Sequence, residues 1–335
     1  MAPRFLQRLA AIGLGTVLAV IAAELACRFT YAGSRVIAVV TPYGLFRAPG
    51  QKGYTELGDL RDGWGRLTIN RLGLRGEEVP SPKAPGEVRV LCLGDSFVFG
   101  GGLADPDTYP EQAQRLVASR QPPIRFINAG GNGNDTRAER AFLADRAGAL
   151  EPDVVVIGFN WNDLVSLMAD AAALMPKPTL PEWLRSTGIY KFIQYHKNPK
   201  LWTLPTPALI SQYRESVMGC TRDPKRWEIL RKELEVIQAQ CKQSGWKPLL
   251  FVMPELSFLE GPRMPPLAKL TAIADSIGMP WVDAQGRYFR GLREGKRLTQ
   301  VYDAFHPNAE GQRLMAEVVV EKLSELGWIA PAPPR

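Results

Sequence analysis

The chain has 335 residues, 45% hydrophobic and 22% charged, a balance that suits a globular protein and excludes a disordered or fibrous one. Its 41 Lys and Arg against 34 Asp and Glu leave a formal net charge of +7, spread along the sequence. There is no dense basic block of the kind that grips nucleic acid, so the surplus is read as solubility with a mild bias toward anionic surfaces such as phospholipid headgroups or acidic glycans.

In chain order, Arg4 and Arg8 precede an uncharged stretch from Leu9 to Ala23, the basic-then-apolar order of an export signal or membrane anchor. At about 15 residues the stretch is short for a span. Glu24 and Arg28 stand four apart and can pair on one helix face, so the helix is expected to continue to Tyr31, making residues 1–31 a retained signal anchor or transmembrane segment. Cleavage after Ala22 or Ala23 is the alternative. A lipoprotein ending at Cys27 is disfavoured by Glu24, and a buried helix of a cytoplasmic protein is the remaining reading. The charge order places the main domain outside the cytoplasm, on the periplasmic side of an inner membrane.

Residues 32–86 read as a small β-containing lead-in, closed by a linker with Pro80, Pro82 and Pro85. From Glu87 apolar runs alternate with helical patterns, the signature of a parallel sheet covered by helices. Strands are predicted at Val88–Leu93, Ile124–Asn128, Val154–Gly158, Leu249–Met253 and Pro280–Val282. Helices are predicted at Thr108–Ser119, Thr136–Ala149, Asn162–Ala172, Arg226–Ser244, Pro266–Ile277 and Ala309–Leu326, the last capped by Asn308. The expected fold is a three-layer α/β/α domain over residues 87–328. Residues 173–222, rich in Pro and aromatics, read as an insertion over its active edge, and 329–335 as a disordered tail. Four cysteines invite a disulfide, but Cys220 and Cys241 fall at opposite ends of a helix, roughly 25 Å apart. Cys92 reads as a small buried residue.

Ser96, in Gly94-Asp95-Ser96, follows a strand buried on both faces, where open α/β sheets gather their reactive groups. A nucleophilic serine needs a base, and only His196 and His306 exist. His306 follows Asp303 by three residues, a spacing that can put a carboxylate on Nδ1 and leave Nε2 for Ser96. His196 lies in the insertion and suits a substrate-facing or surface role. Acyl transfer also needs oxyanion donors, and two loops after strands offer them: Asn128 to Thr136, and Gly158 to Asp163. Capping of a helix is the competing role for Ser96. Neither a Walker pattern nor a dinucleotide fingerprint is present, and no residues have metal-ligand spacing.

Four blocks together, Gly94-Asp95-Ser96, the Asn-Ala-Gly-x-x-Gly loop, the Asn-Asp pair and Asp303-x-x-His306-Pro-Asn, resemble those of the SGNH/GDSL hydrolase superfamily, as a GDSL-like esterase/lipase of the bacterial membrane-anchored type. The resemblance spans residues 87 to 326. It implies a flavodoxin-like fold with a five-stranded parallel sheet. It implies Ser96 as nucleophile, His306 and Asp303 completing the triad, Gly133 and Asn162 as oxyanion donors, and Asp95 bracing the turn. Two positions depart from the pattern: Asn132 stands where Ser is usual, and Asn160 competes with Asn162 for the third block.

The expected function is a serine esterase, without metal or organic cofactor, that removes an acyl group such as acetyl from a cell-envelope glycan or related ester. The alternatives are an O-acyltransferase with the same triad, a lysophospholipase favoured by the anchor and the basic charge, and a non-catalytic glycan-binding scaffold. The expected partners are an ester substrate and, through residues 1–31, the membrane. Nucleic acid is not expected.

Overall fold

The computed structural model describes residues 2–31, 38–41, 44–47, 52–56, 64–167, 187, 189, 207–255, 258, 265–300 and 305–331. The chain divides into two compact units, Met1–Arg35 with Pro176–Thr203, and Val36–Met175 with Leu204–Arg335.

The first unit contains α1 (Ala2–Tyr31), a 30-residue helix. Ile12, Leu14, Val17, Leu18, Val20, Ile21 and Leu25 are all about half exposed, so the helix is apolar around much of its circumference. Its uncharged run covers roughly 22 Å at about 1.5 Å per residue, against a hydrocarbon core of about 30 Å. Among the described residues no helix is long and apolar enough to cross a membrane, so the expected transmembrane segment gains no support. Glu24 accepts a hydrogen bond from the Ile189 backbone N–H at 3.0 Å. The Arg28 side chain, its expected partner, lies outside the described residues.

The second unit begins with two antiparallel hairpins, β1 (Ala38–Thr41) with β2 (Gly44–Arg47), and β3 (Lys52–Glu56) with β4 (Trp64–Thr68). The main sheet follows: β5 (Val88–Gly94), β6 (Ile124–Gly130), β7 (Val154–Phe159), β8 (Lys247–Val252) and β9 (Trp281–Asp283). All five are parallel, in the order β6-β5-β7-β8-β9. Side chains alternate across a pleated strand, which is why an unbroken apolar run must be covered on both faces. On β5, Val90 and Cys92 enter one core, with α3 (Tyr109–Val117) and a long C-terminal helix (Ala309–Glu325). Leu91 and Leu93 enter the other, with α4 (Thr136–Asp145), a 21-residue helix (Pro224–Ser244) and a shorter one (Leu267–Ser276). The predicted three-layer α/β architecture is therefore present.

Element ends differ in detail, and at one of them a capping side chain sets the boundary. Asp223 accepts from Lys225 N–H at 2.9 Å and starts the long helix at Pro224, two residues before the predicted start. The third predicted helix, α5, runs only Asp163–Ser166, and its expected extension beyond 167 lies outside the described residues. Among the described residues, two helices of nine or more residues had no predicted counterpart: Pro207–Arg222, α6, inside the expected insertion, and Gln285–Arg293 after β9. In chain order Pro224–Ser244 is α7, Leu267–Ser276 α8, Gln285–Arg293 α9 and Ala309–Glu325 α10. Ile329 is buried, and Arg120 donates to the Ala330 carbonyl at 2.6 Å, so the ordered domain extends past 328 into the expected tail. Among the described residues Cys92, Cys220 and Cys241 are free.

Arg89, wholly buried on β5, holds the proline linker to the sheet. Its Nε donates to Glu87 at 3.0 Å, its Nη1 to the Leu150 carbonyl at 2.9 Å and its Nη2 to the Pro80 carbonyl at 2.6 Å. Removing this cation leaves two carbonyls without their donor and Glu87 with Arg125 as its remaining ion-pair partner. Arg89→Met is therefore expected to lower unfolding stability by about 2–4 kcal/mol in urea titrations, whereas Arg71→Met, at an exposed ion pair, changes it by less than about 1 kcal/mol.

Candidate active site

The site is built at the carboxyl ends of β5, β6 and β7, where three glycines lie side by side. Gly94 is in register with Gly130 on one side and Gly158 on the other. A Cβ at Gly130 would come within 2.3 Å of the Phe99 backbone nitrogen, and one at Gly158 within 2.7 Å of the Leu93 carbonyl. Only hydrogen atoms at these positions let a short helix, α2 (Ser96–Phe99), rest on the strand ends.

Asp95 caps that helix by accepting from Phe97 N–H at 2.8 Å, and its other oxygen accepts from Asn162 Nδ2 at 3.0 Å. The capping expected of Ser96 thus falls to its neighbour. Burial raises the Asp95 carboxyl above its ordinary range, opposed by those two hydrogen bonds and by the charge of His306. Ser96 is half-buried, and its Oγ lies 2.7 Å from His306 Nε2, a contact between residues 210 apart in the chain. The imidazole can take the hydroxyl proton over that distance. Phe97 packs against the imidazole at 5.1 Å between ring centroids.

The β6 loop is tied to β5 by Gly131 N–H donating to the Gly94 carbonyl at 2.9 Å. Gly133 is exposed at its tip with φ +75°, a backbone state that favours glycine. In the β7 loop, Asn160 is wholly buried, and its Oδ1 accepts from Asn162 N–H at 3.1 Å. Asn162 is half-buried with its amide directed to Asp95. Ser96, His306, Asp95 and Asn162 are thus brought together. Asp303 and His196 lie outside the described residues.

Three buried polar residues that sequence reasoning missed join the parts. Gln300 Nε2 donates to the Gly101 carbonyl at 2.6 Å and the Pro307 carbonyl at 3.2 Å, bridging the serine loop and the histidine loop. Gln312 Nε2 donates to the Phe97 carbonyl at 2.9 Å from α10. Arg75, from the lead-in, donates to the Phe99, Gly100 and Leu103 carbonyls at 2.8, 2.6 and 2.5 Å, and to Asp105 at 2.9 Å. Its guanidinium meets the carbonyl end of α2, where a cation is favoured. A fourth contact runs from Tyr213 on α6, whose hydroxyl donates to buried Glu255 at 2.9 Å and whose ring packs edge-on against Phe305 at 5.0 Å. Tyr213 was visible only as one of the insertion's aromatics.

Residues 92–314, well over half of the chain, match the model described as the GDSL-like Lipase/Acylhydrolase family. The chain belongs to that family. This GDSL-like protein is accordingly a carboxylic ester hydrolase. Solved structures similar to it include TesA, at 18% identity over 71% of this chain and 99% of that one, with a TM-score of 0.44. LAE5, an α/β hydrolase from the metagenome of Lake Arreo, Spain, matches at 17% identity over 72% and 95%, TM-score 0.46. A catalytic mutant of Axe2, an acetylxylan esterase from Geobacillus stearothermophilus, matches at 18% over 73% and 97%, TM-score 0.44. No curated protein matches the chain.

Because Gln300 links the two loops that carry Ser96 and His306, its loss should misplace the pair without removing either. Gln300→Ala is expected to lower kcat on a short-chain aryl ester by about ten- to a hundredfold with KM little changed, measured by steady-state kinetics.

Proposed function

We propose that this hydrolase is a serine esterase in which Ser96 attacks the ester carbonyl and His306 accepts the hydroxyl proton. The observation that carries the reading is the 2.7 Å contact between Ser96 Oγ and His306 Nε2. Asp303, three residues before the base, orients the imidazole. The Gly133 N–H and the Asn162 amide stabilise the tetrahedral oxyanion, and Asn160 braces the loop beneath. Collapse expels the alcohol, protonated by His306, and leaves an acyl-enzyme. Water activated by His306 then releases the acid and frees Ser96.

The proposed substrate is a small acyl ester, such as an acetyl ester, of a cell-envelope glycan or related compound. The half-exposed apolar residues of α1 and the net charge of +7 support attachment to an anionic membrane through the N-terminal segment, with the catalytic unit outside the cytoplasm. Cell fractionation and protease accessibility test that placement. A soluble cytoplasmic chain would overturn it.

Ser96→Ala is expected to abolish hydrolysis of a short-chain aryl ester and labelling by a fluorophosphonate probe, with an unchanged unfolding curve. Retained labelling would sink the assignment. Asn162→Ala should lower kcat by about a hundred- to a thousandfold, the loss expected of one oxyanion donor. A series of acyl chain lengths and an acetylated glycan, each followed for release or transfer of the acyl group, separates an esterase from a lysophospholipase and an acyltransferase.

A further inference from the structure

Behind the Asn162 loop lie two carboxyls that the proposed mechanism does not use. Glu139 on α4 is 2% exposed and Asp163, the first residue of α5, is 1% exposed. Asp163 is tied to the start of α4 by Thr136, whose Oγ1 donates to Asp163 Oδ2 at 2.9 Å, and the Glu139 and Asp163 carboxyls repel each other electrostatically. Glu139 is three residues further along the helix, on the same face as Thr136. Both oxygens of Glu139, and Oδ1 of Asp163, have no hydrogen-bond donor among the described residues.

Among the described residues, the groups that act most strongly on them electrostatically offer no cation. Asp95 at the end of β5, Asp135 at the cap of α4 and Tyr109 on α3 all interact electrostatically with Glu139, and Tyr213 on α6 with Asp163. The nearby guanidiniums are committed elsewhere: Arg137 to Asp135 and the Ser166 carbonyl, Arg140 to Glu233 on α7, and Arg226 on α7 to the Leu164 and Val165 carbonyls. Two buried carboxylates that repel each other, with no counter-ion among the described residues, cannot both stay ionised, because each pays its desolvation against a like charge.

We propose that Glu139 keeps its proton and donates it to Asp163, so that one shared proton ties α4 to the loop that carries Asn162. Glu139 is then a positioning residue: Asp163 is held by Glu139 and Thr136, and the adjoining Asn162 by Asp95. Burial, followed by the charges of Asp95 and Asp135, moves the Glu139 carboxyl well above its ordinary range, in the same direction as the geometry. The effect on catalysis rests on the esterase reading above, whereas the location of the proton does not.

The sign of the linkage makes the proton testable. An unfolded Glu139 titrates near the ordinary glutamate value of 4.5, while the folded one retains its proton to higher pH. The folded state therefore binds more protons over that interval, and its stability falls as pH rises. Glu139→Gln has no titration there and keeps an N–H donor for Asp163. Urea unfolding of the full chain from about pH 5 to about pH 9 should show Glu139→Gln gaining stability relative to the wild type as pH rises. Infrared difference spectra should show a protonated-carboxyl band that this variant lacks. Parallel stability curves, or a band that persists, would overturn the proposal. In kinetics on 4-nitrophenyl acetate, Glu139→Ala should lose about tenfold or more in kcat with KM little moved, and Glu139→Gln should restore most of it. Equal losses in the two variants would remove the positioning role. If Glu139→Ala does not fold, the wild-type and Gln stability curves still decide. If the wild type hydrolyses no ester, the infrared and unfolding data decide the proton independently of the esterase reading.

Discussion

The structure depends first on a close approach. Ser96 stands on a four-residue helix that sits directly on the ends of three neighbouring strands, and that contact exists because Gly94, Gly130 and Gly158 share one level of the sheet. A methyl group at Gly130 would run into the backbone of α2 itself, at 2.3 Å, where no side chain can move aside. A short helix has little stability of its own, so its orientation comes from what it rests on. The hydroxyl is consequently aimed by the sheet, and the sheet is stiff because both its faces are packed.

A sheet can fix the serine but not the histidine, which arrives on a separate loop 210 residues later. The polar side chains that join these segments work through backbone carbonyls. Gln300 spans Gly101 and Pro307, and Gln312 reaches from α10 to Phe97. Arg75 gathers three carbonyls after Ser96 from a segment that precedes β5. The stretch around Arg75 is thereby joined to the Ser96 segment. Arg75 also bridges to Asn128 of β6, covering the edge that the sheet would otherwise leave unpaired.

The sheet was legible because a strand covered on both faces must be apolar at successive positions, and five such runs stood between helical patterns. Ser96 and His306 were legible for a different reason: only two histidines exist, and one of them preceded a capped final helix. The bracing residues were not. A glutamine or arginine that binds carbonyls distant in sequence leaves no periodic trace, and nothing distinguishes Gln300 from a surface glutamine until the loops are placed. Helix α9 escaped because Gln285–Arg293 is short and rich in arginine, with its buried residues limited to Gln285, Tyr288 and Gly291. The length of α1 was read correctly to Tyr31, but its uncharged run is too short to make that length a membrane span.

The carboxyls around the nucleophile bear on how the histidine works. A base must hold a proton during attack and give it up afterwards, which requires an affinity neither too weak nor too strong. Asp95 interacts electrostatically with His306 and, in the proposed mechanism, favours the imidazolium formed when Ser96 gives up its proton. Full ionisation of Asp163 and Glu139 as well would place two further negative charges near Asp95. A shared proton between them removes one of those charges while leaving both side chains as hydrogen-bonding partners. The proposed shared proton in this way lets the fold bury both acids beside the Asn162 loop without two uncompensated like charges.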